Sequence, residues 1–326
     1  MRRRLVSILV IVVLLALVWS GGWFVLARWA DARAAGALTE LSESGVDVGC
    51  ADRRVIGFPF GLHIACAKTT VTERITATKA DLSGMTGGTN VLSPFTLRID
   101  MASPAHVDSA LLEGSADVRW EDAALNVGIG MNGPRDFTFD GTKVDADVTG
   151  SRLLVRKVLA ETAQGALSPS EAGGTNVELA FADLRISVAE LDLPPVTGVA
   201  ASELSVPLRA LLLGRLQAPI TSRNINVALQ SGGARLTAAG EMAVDAEGVL
   251  DGTMTVVIAG TEALPAFIQA LPDAWQKIAN VVVSGMFVFG KPTTLDGQPA
   301  SELVLEVDQG NARIGPVEFT LPRVPI

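Results

Sequence analysis

The chain has no tyrosine, and it has only two histidines and two cysteines in 326 residues; aromatic residues make up 5% of it. With only His63 and His106, and no clustered carboxylates, no His-based triad or zinc constellation is convincing, although His106 and Asp108 sit two apart. Basic residues are also short, with 26 Lys and Arg against 35 Asp and Glu and a net charge of -9. Three of those basic residues are Arg2, Arg3 and Arg4, so the remainder is more acidic still. Nucleic acid is excluded as a partner, because its phosphates demand Lys and Arg. The basic cluster expected of an anionic-headgroup binder is missing too. The glycine pairs at 87–88, 173–174 and 232–233 lack the Lys-Ser/Thr that would make a phosphate loop. Asp140, Asp145 and Asp147 lack the order of an EF-hand loop and read as a charged strand face. These absences argue against an enzyme and imply no metal and no cofactor.

Against this background the N-terminus stands out. Leu5 to Leu26 carries no charge. At 1.5 Å per residue it reaches about 33 Å, enough to cross a bilayer core. Trp19, Trp23 and Trp29 lie toward its far end, where amphipathic rings suit the membrane interface. Arg2 to Arg4 precede the run and would stay cytoplasmic, so the bulk of the chain is expected outside, in the periplasm of a bacterium. A cleaved signal peptide, with Ala30-Asp31-Ala32 as a weak cleavage site, is the alternative; its apolar core would ordinarily be shorter. Arg28 to Ser44 has no proline and continues as a juxtamembrane helix to Gly45.

Cys50 and Cys66 bracket the turn Gly57-Phe58-Pro59-Phe60. Outside the cytoplasm two lone cysteines usually pair. The C-x-x-C of a redox pair is absent, and two thiols are too few for a metal site. The pair is therefore expected to staple a hairpin, Val46 to Ile56 against Leu62 to Thr72. Leu62, Ile64 and Cys66 share one face, and His63 points to the other. Phe58 and Phe60 are either an exposed contact tip or a plug buried under the hairpin.

An anchor, a juxtamembrane helix and Cys…Gly-Phe-Pro-Phe…Cys together resemble the bacterial envelope family catalogued as domain of unknown function, family 2125. The segment LDGQPASELVLEVDQGNARIGPVEF is similar to that family's closing segment. The family's usual basic residue after the second aromatic is here Gly61. Its anchored, β-rich layout is similar to AsmA-like envelope proteins, and that likeness implies lipid handling by analogy alone.

Beyond Cys66 the apolar residues alternate. Phe95, Leu97, Ile99 and Met101 alternate with Thr96, Arg98 and Asp100; Leu125, Val127 and Ile129 alternate with Asn126 and Gly128; Leu303, Leu305 and Val307 oppose Glu302, Glu306 and Asp308. This is the pattern of antiparallel strands with one dry and one wet face. Apolar parity switches between Phe181 and Leu184, which predicts a β-bulge near Asp183. Ala238 to Gly260, Val283 to Val307 and Leu112 to Met131 read as repeated hairpins. Leu264, Phe267, Ile268, Leu271, Trp275 and Ile278 recur at helical spacing, with Pro272 as a break, so two short helices are expected near 262–280. Ser151 to Thr162 and Leu208 to Leu216 are weaker helix candidates. Gly165 to Thr175 reads as a loop and the best internal boundary.

The expected fold is mainly β: a long curved antiparallel sheet, forming a groove or a sandwich, with an N-terminal transmembrane helix and a few short helices. The expected segments are 1–4 cytoplasmic, 5–26 transmembrane, 27–45 juxtamembrane, 46–164 a β-region with the disulfide hairpin, and 165–326 a second β-region. Met242, Val244, Met254, Val256, Leu303 and Leu305 hold the apolar parity of the late hairpins and are the candidate lining of a groove. The leading expectation is a non-enzymatic inner-membrane protein that binds lipid or another apolar ligand. A periplasmic scaffold or assembly factor with a closed core, binding an envelope protein, is the alternative.

Overall fold

A computed structural model describes residues 2–43, 45–74, 77–110, 114–130, 133–150, 155–188, 191–212, 219–261, 264–270, 273–321 and 323–324. It opens with one helix, α1 (Arg2–Glu43), which merges the expected transmembrane and juxtamembrane segments. Strands follow: β1 (Val46–Ala51), β2 (Arg54–Ile56), β3 (Gly61–Cys66), β4 (Lys68–Glu73), β5 (Thr78–Asn90), β6 (Ser93–Ser109) and β7 (Gly114–Arg119). Then come β8 (Asp122–Gly130), β9 (Gly133–Thr149), β10 (Val155–Pro169), β11 (Thr175–Val188), β12 (Leu191–Asp192) and β13 (Val196–Leu204). After α2 (Leu208–Leu212) the chain forms β14 (Ile220–Ser231), β15 (Ala234–Val244) and β16 (Leu250–Ala259). Two helices, α3 (Leu264–Ala270) and α4 (Asp273–Phe289), precede β17 (Lys291–Leu295), β18 (Gln298–Asp308), β19 (Asn311–Ile314) and β20 (Val317–Thr320).

All twenty strands belong to one antiparallel sheet. It is laid down almost in chain order, because period-two segments joined by short turns pair with their neighbours. Several strands are broken in two. β3 and β4 both pair with β5, and β7 and β8 both lie between β6 and β9. Gly114 to Gly130 is therefore one bent strand where the sequence suggests a hairpin over Leu112 to Met131. The bend falls at Trp120, whose Nε1 donates to Met101 O at 2.8 Å.

The register aligns the apolar parity across the sheet. Val55, Ile64, Gly87, Ile99, Leu125, Phe139, Gly165, Leu179, Ala200, Val227, Ala238, Val256 and Leu303 are cross-strand partners in unbroken succession. Partners directly opposite share a face. This row of thirteen residues contains no polar side chain. At one strand every 4.7–4.9 Å it runs about 55–60 Å. The adjacent row on the other face is mixed: Arg54, Thr86, Asp100, Asp140, Gln164, Thr237 and Glu302 are interspersed with Ala65, Ala124, Ala180, Val199, Ala228 and Val257. The bulge at Asp183 is present: the register shifts between Phe181 and Leu184, and Asp183 has φ +50°.

Two of the later helices pack against the sheet. α4 lays Met286 on Ile258, Leu303 and Ile314, the buried cluster of the sheet. A Cβ on Gly285 would come within 2.8 Å of Ile314, so the absent side chain lets this helix approach. α4 extends through Val283–Phe289, where alternating apolar residues suggested a strand. That segment is apolar enough for either state, and the uncovered sheet end gives its helical form a surface to bury. α2 touches the end of β10, where Thr175 Oγ1 donates to Val206 O at 2.7 Å. Residues 151–154 of the other helix candidate lie outside the described residues, and Val155 to Thr162 is strand. Gly165 lies inside β10, paired with both Phe139 and Leu179, so the sheet runs unbroken through that position and the loop shrinks to 170–174.

Candidate functional site

Two apolar features could hold a ligand. The first is the dry face. Met242 and Val244 lie on β15, Met254 and Val256 on β16, and Leu303 and Leu305 on β18, all on that face. They do not share one environment. Leu303 is 4% exposed beneath α4, and Val256 and Leu305 pack against the same cluster. These three belong to a covered core. Met242, Val244 and Met254 are half-buried. The open part of the face lies further in, around Phe139 and Leu179, which the late hairpins alone did not point to. Leu179 is 52% exposed, which a closed sandwich would not allow. The signal that could have found it was the same alternation, carried across every strand.

The second feature is the signature turn. Cys50 and Cys66 form a disulfide at the corner of the β1–β2/β3–β4 hairpin, with a Cα–Cα distance of 5.2 Å. Beyond it Gly57, Phe58, Pro59 and Phe60 turn back against α1. Gly57 has φ +105°, and a Cβ there would lie 2.8 Å from the Gly61 backbone. Trp19 Nε1 donates to Pro59 O at 3.1 Å, and Trp23 Nε1 to Gly61 O at 2.9 Å. Trp23 meets Phe58 edge-on at 5.4 Å, and Phe24 stacks on it at 6.3 Å. Phe58 and Phe60 stay 51% and 67% exposed, so they are an exposed tip and not a buried plug. The sequence treated Trp19 and Trp23 only as interface anchors. Their spacing of four, which puts both indoles on one helix face, was the available clue.

Further along, α1 is tied to the sheet by polar contacts. Arg53 pairs with Asp31 at 2.8 Å. Asp47 accepts from Ser42 at 2.6 Å and pairs with Arg74 at 2.7 Å; the Ser42 hydroxyl first, then the guanidinium, hold its carboxyl below the usual range. A pocket of about 440 Å³ lies between Leu15–Leu26 of α1, the turn 59–62 and the hairpin tip at 89–94.

Among the described residues the polar side chains of the wet face assemble no reactive site. His106 sits within β6, and both its nitrogens face carboxylates: Nδ1 is 2.8 Å from Asp117 and Nε2 is 3.4 Å from Asp108. The Asp117 hydrogen bond is the main cause of its raised pKa. Neither nitrogen is left to serve a nucleophile. Asp145 and Asp147 flank Lys157 at 3.1 and 3.3 Å, and Asp140 accepts from Gln164. Among the described residues no group of His, Cys, Asp and Glu is arranged to hold a metal.

No curated protein matches the chain, and no solved structure matches it. The likeness to AsmA-like proteins therefore has no counterpart among the comparisons. One family does match, from residue 23 to residue 320, taking in most of the chain from α1 through the signature turn and the whole sheet. The chain thus belongs to the DUF2125 family, described as an uncharacterized protein conserved in bacteria.

Proposed function

We propose that the protein is a single-pass protein of the bacterial inner membrane whose bulk lies in the periplasm, and that it binds lipid or another apolar ligand without catalysis. The observation that carries this reading is the apolar row that crosses thirteen strands with no polar interruption. α1 is long and apolar enough to cross a membrane, and Leu15, Leu17 and Val18 on it are exposed. An apolar face of this length exposed to water would be costly at about 25 cal/mol per Å². Apart from Phe139 its lining is aliphatic or glycine. It has the shape and chemistry to bury acyl chains and offers no group to attack them.

The test is native mass spectrometry and lipid extraction on the full chain purified in mild detergent. Lipid is expected to co-purify. Leu179→Asp should remove it while leaving the melting transition in place, because an unpaired charge there hydrates when the face is empty and is desolvated when the face is filled. Absence of lipid from the wild type, or equal unfolding by Leu179→Asp and Leu303→Asp, would reject the reading. A stoichiometric envelope protein in the lipid's place would support the scaffold alternative.

A further inference from the structure

The pocket beside the signature turn is built half from α1, and this fixes where in a membrane it would sit. Leu15, Val18, Trp19, Trp23 and Leu26 of its wall belong to the uncharged run Leu5 to Leu26. At 1.5 Å per residue, Leu15 lies about 15 Å into that run, near its middle. Whatever packs against Leu15–Leu26 therefore shares the depth of the outer half of the bilayer. Two hairpin tips pack there, the signature turn and the β5–β6 turn.

Both tips are made for hydrocarbon. From Val55 to Ala67, and from Leu82 to Leu97, there is no Asp, Glu, Lys or Arg. Phe58, Phe60, Val91, Leu92 and Phe95 are each more than half exposed, Leu92 being 94% exposed. Backbone groups in a bilayer must find partners inside the protein, since unsatisfied ones cost several kcal/mol each. At the signature turn Gly57 O accepts from Gly61 N at 2.7 Å and Phe60 O from Val91 N at 3.0 Å. Pro59 O and Gly61 O are taken by the two tryptophans. In the neighbouring tip Asn90 Oδ1 accepts from Leu92 N and Ser93 N at 2.9 and 2.8 Å. Indole N–H groups reaching 38 and 40 residues away to cap turn carbonyls have little purpose in water, which would solvate those carbonyls unaided.

We infer that these two tips are sunk into the outer leaflet beside α1, and that the pocket between them and the helix holds one acyl chain of a bilayer phospholipid. The inference rests on α1 crossing the membrane and is independent of lipid on the open sheet face. The occupant is a chain and not a headgroup because no charged residue lines the pocket. Its volume of about 440 Å³ falls in the range of roughly 300–1,000 Å³ typical of small-ligand sites. Leu62 and Thr89 in its wall face the dry side of the sheet, so the pocket adjoins the start of the apolar row.

The experiment uses the full chain in vesicles of phosphatidylethanolamine and phosphatidylglycerol. With Cys50 and Cys66 oxidised, a cysteine at Leu92 (L92C) accepts an environment-sensitive fluorophore selectively; Thr138→Cys on the wet face is the control. The label at 92 should be quenched by acyl-chain nitroxide lipids and shielded from iodide, and the label at 138 should behave oppositely. Equal iodide quenching at both positions overturns the insertion. For the pocket, a phospholipid with a diazirine in its acyl chain should cross-link to Leu62 and Val91. Gly22 leaves open space where its Cβ would point. Gly22→Leu should fill the pocket and lower those cross-links several-fold, with Gly22→Ala intermediate and cross-links to outward-facing Val25 unchanged. Unchanged cross-links to Leu62 and Val91 in Gly22→Leu overturn the acyl-chain assignment. Leu179→Asp should leave these cross-links intact, so this site and the open face can each fail alone.

Discussion

Single residues set the geometry at the two ends of the sheet. Gly57 holds a left-handed φ with no room for a methyl group, so Gly57→Ala should destabilise the signature turn. It should also weaken the Trp19 and Trp23 hydrogen bonds, which a red shift in tryptophan emission would report. The disulfide closes a loop whose removal should cost about 2–5 kcal/mol, read as a lower melting temperature for the Cys50→Ser/Cys66→Ser double variant. Neither thiol should react with an alkylator before reduction. His106 carries a raised pKa because it bonds Asp117, with Asp108 adding to the effect. A group whose folded pKa is raised contributes stability that is fully present below its ordinary value of 6.5 and is lost as pH rises through the raised value. The ring is solvent-exposed, so the effect on stability is small. Asp117→Asn should bring the NMR titration midpoint of His106 down toward 6.5. An unmoved midpoint would mean that Asp117 does not set it. The presence of His106 was legible in the sequence. Its carboxylate partners were not, because Asp117 reaches it across the β6–β7 pairing and not along the chain.

At the scale of elements, alternation was readable wherever one face is dry. The turn residues Asp183 and Gly57 also showed where strands bulge or end. Broken strands escaped, because a bend at Trp120 leaves the same local pattern as a hairpin turn. The long α4 escaped for another reason. Val281, Val283 and Val288 favour a strand on propensity, but tertiary burial against Leu303 and Ile314 overrides such preferences. Packing under α4 yields a contrast that stability measurements can check. Leu303→Ala should cost about 2–5 kcal/mol, because it opens a cavity in a covered cluster. Leu179→Ala, half exposed on the uncovered part of the same row, should cost far less. Similar losses at the two positions would show that the centre of the sheet is covered as tightly as its end.

For the molecule as a whole, anchoring and the open sheet depend on each other. A face this apolar has few ways to stay soluble: bury itself, bind something, or remain beside a membrane. α1 runs from the uncharged segment along the first edge of the sheet, with contacts at Pro59, Arg53 and Asp47 in turn. With α1 crossing the membrane as proposed, that edge would be held against the bilayer. The orientation follows from charge placement. Arg2, Arg3 and Arg4 precede the span and are hard to translocate, whereas the acidic bulk that follows carries little weight in the rule. The expected topology is N-terminus in, C-terminus out. A reporter active only in the periplasm, fused after Ile326, should be active, and one active only in the cytoplasm should be silent. Replacing Arg2 to Arg4 with neutral residues should lower the periplasmic signal. The protein should also stay in the pellet after carbonate extraction, since the anchor is apolar and the surface charges that carbonate disrupts contribute little. Recovery of the chain in the soluble fraction, with an N-terminus near Ala32, would show that the span is removed and that the sheet is held at the membrane by its tips alone or not at all.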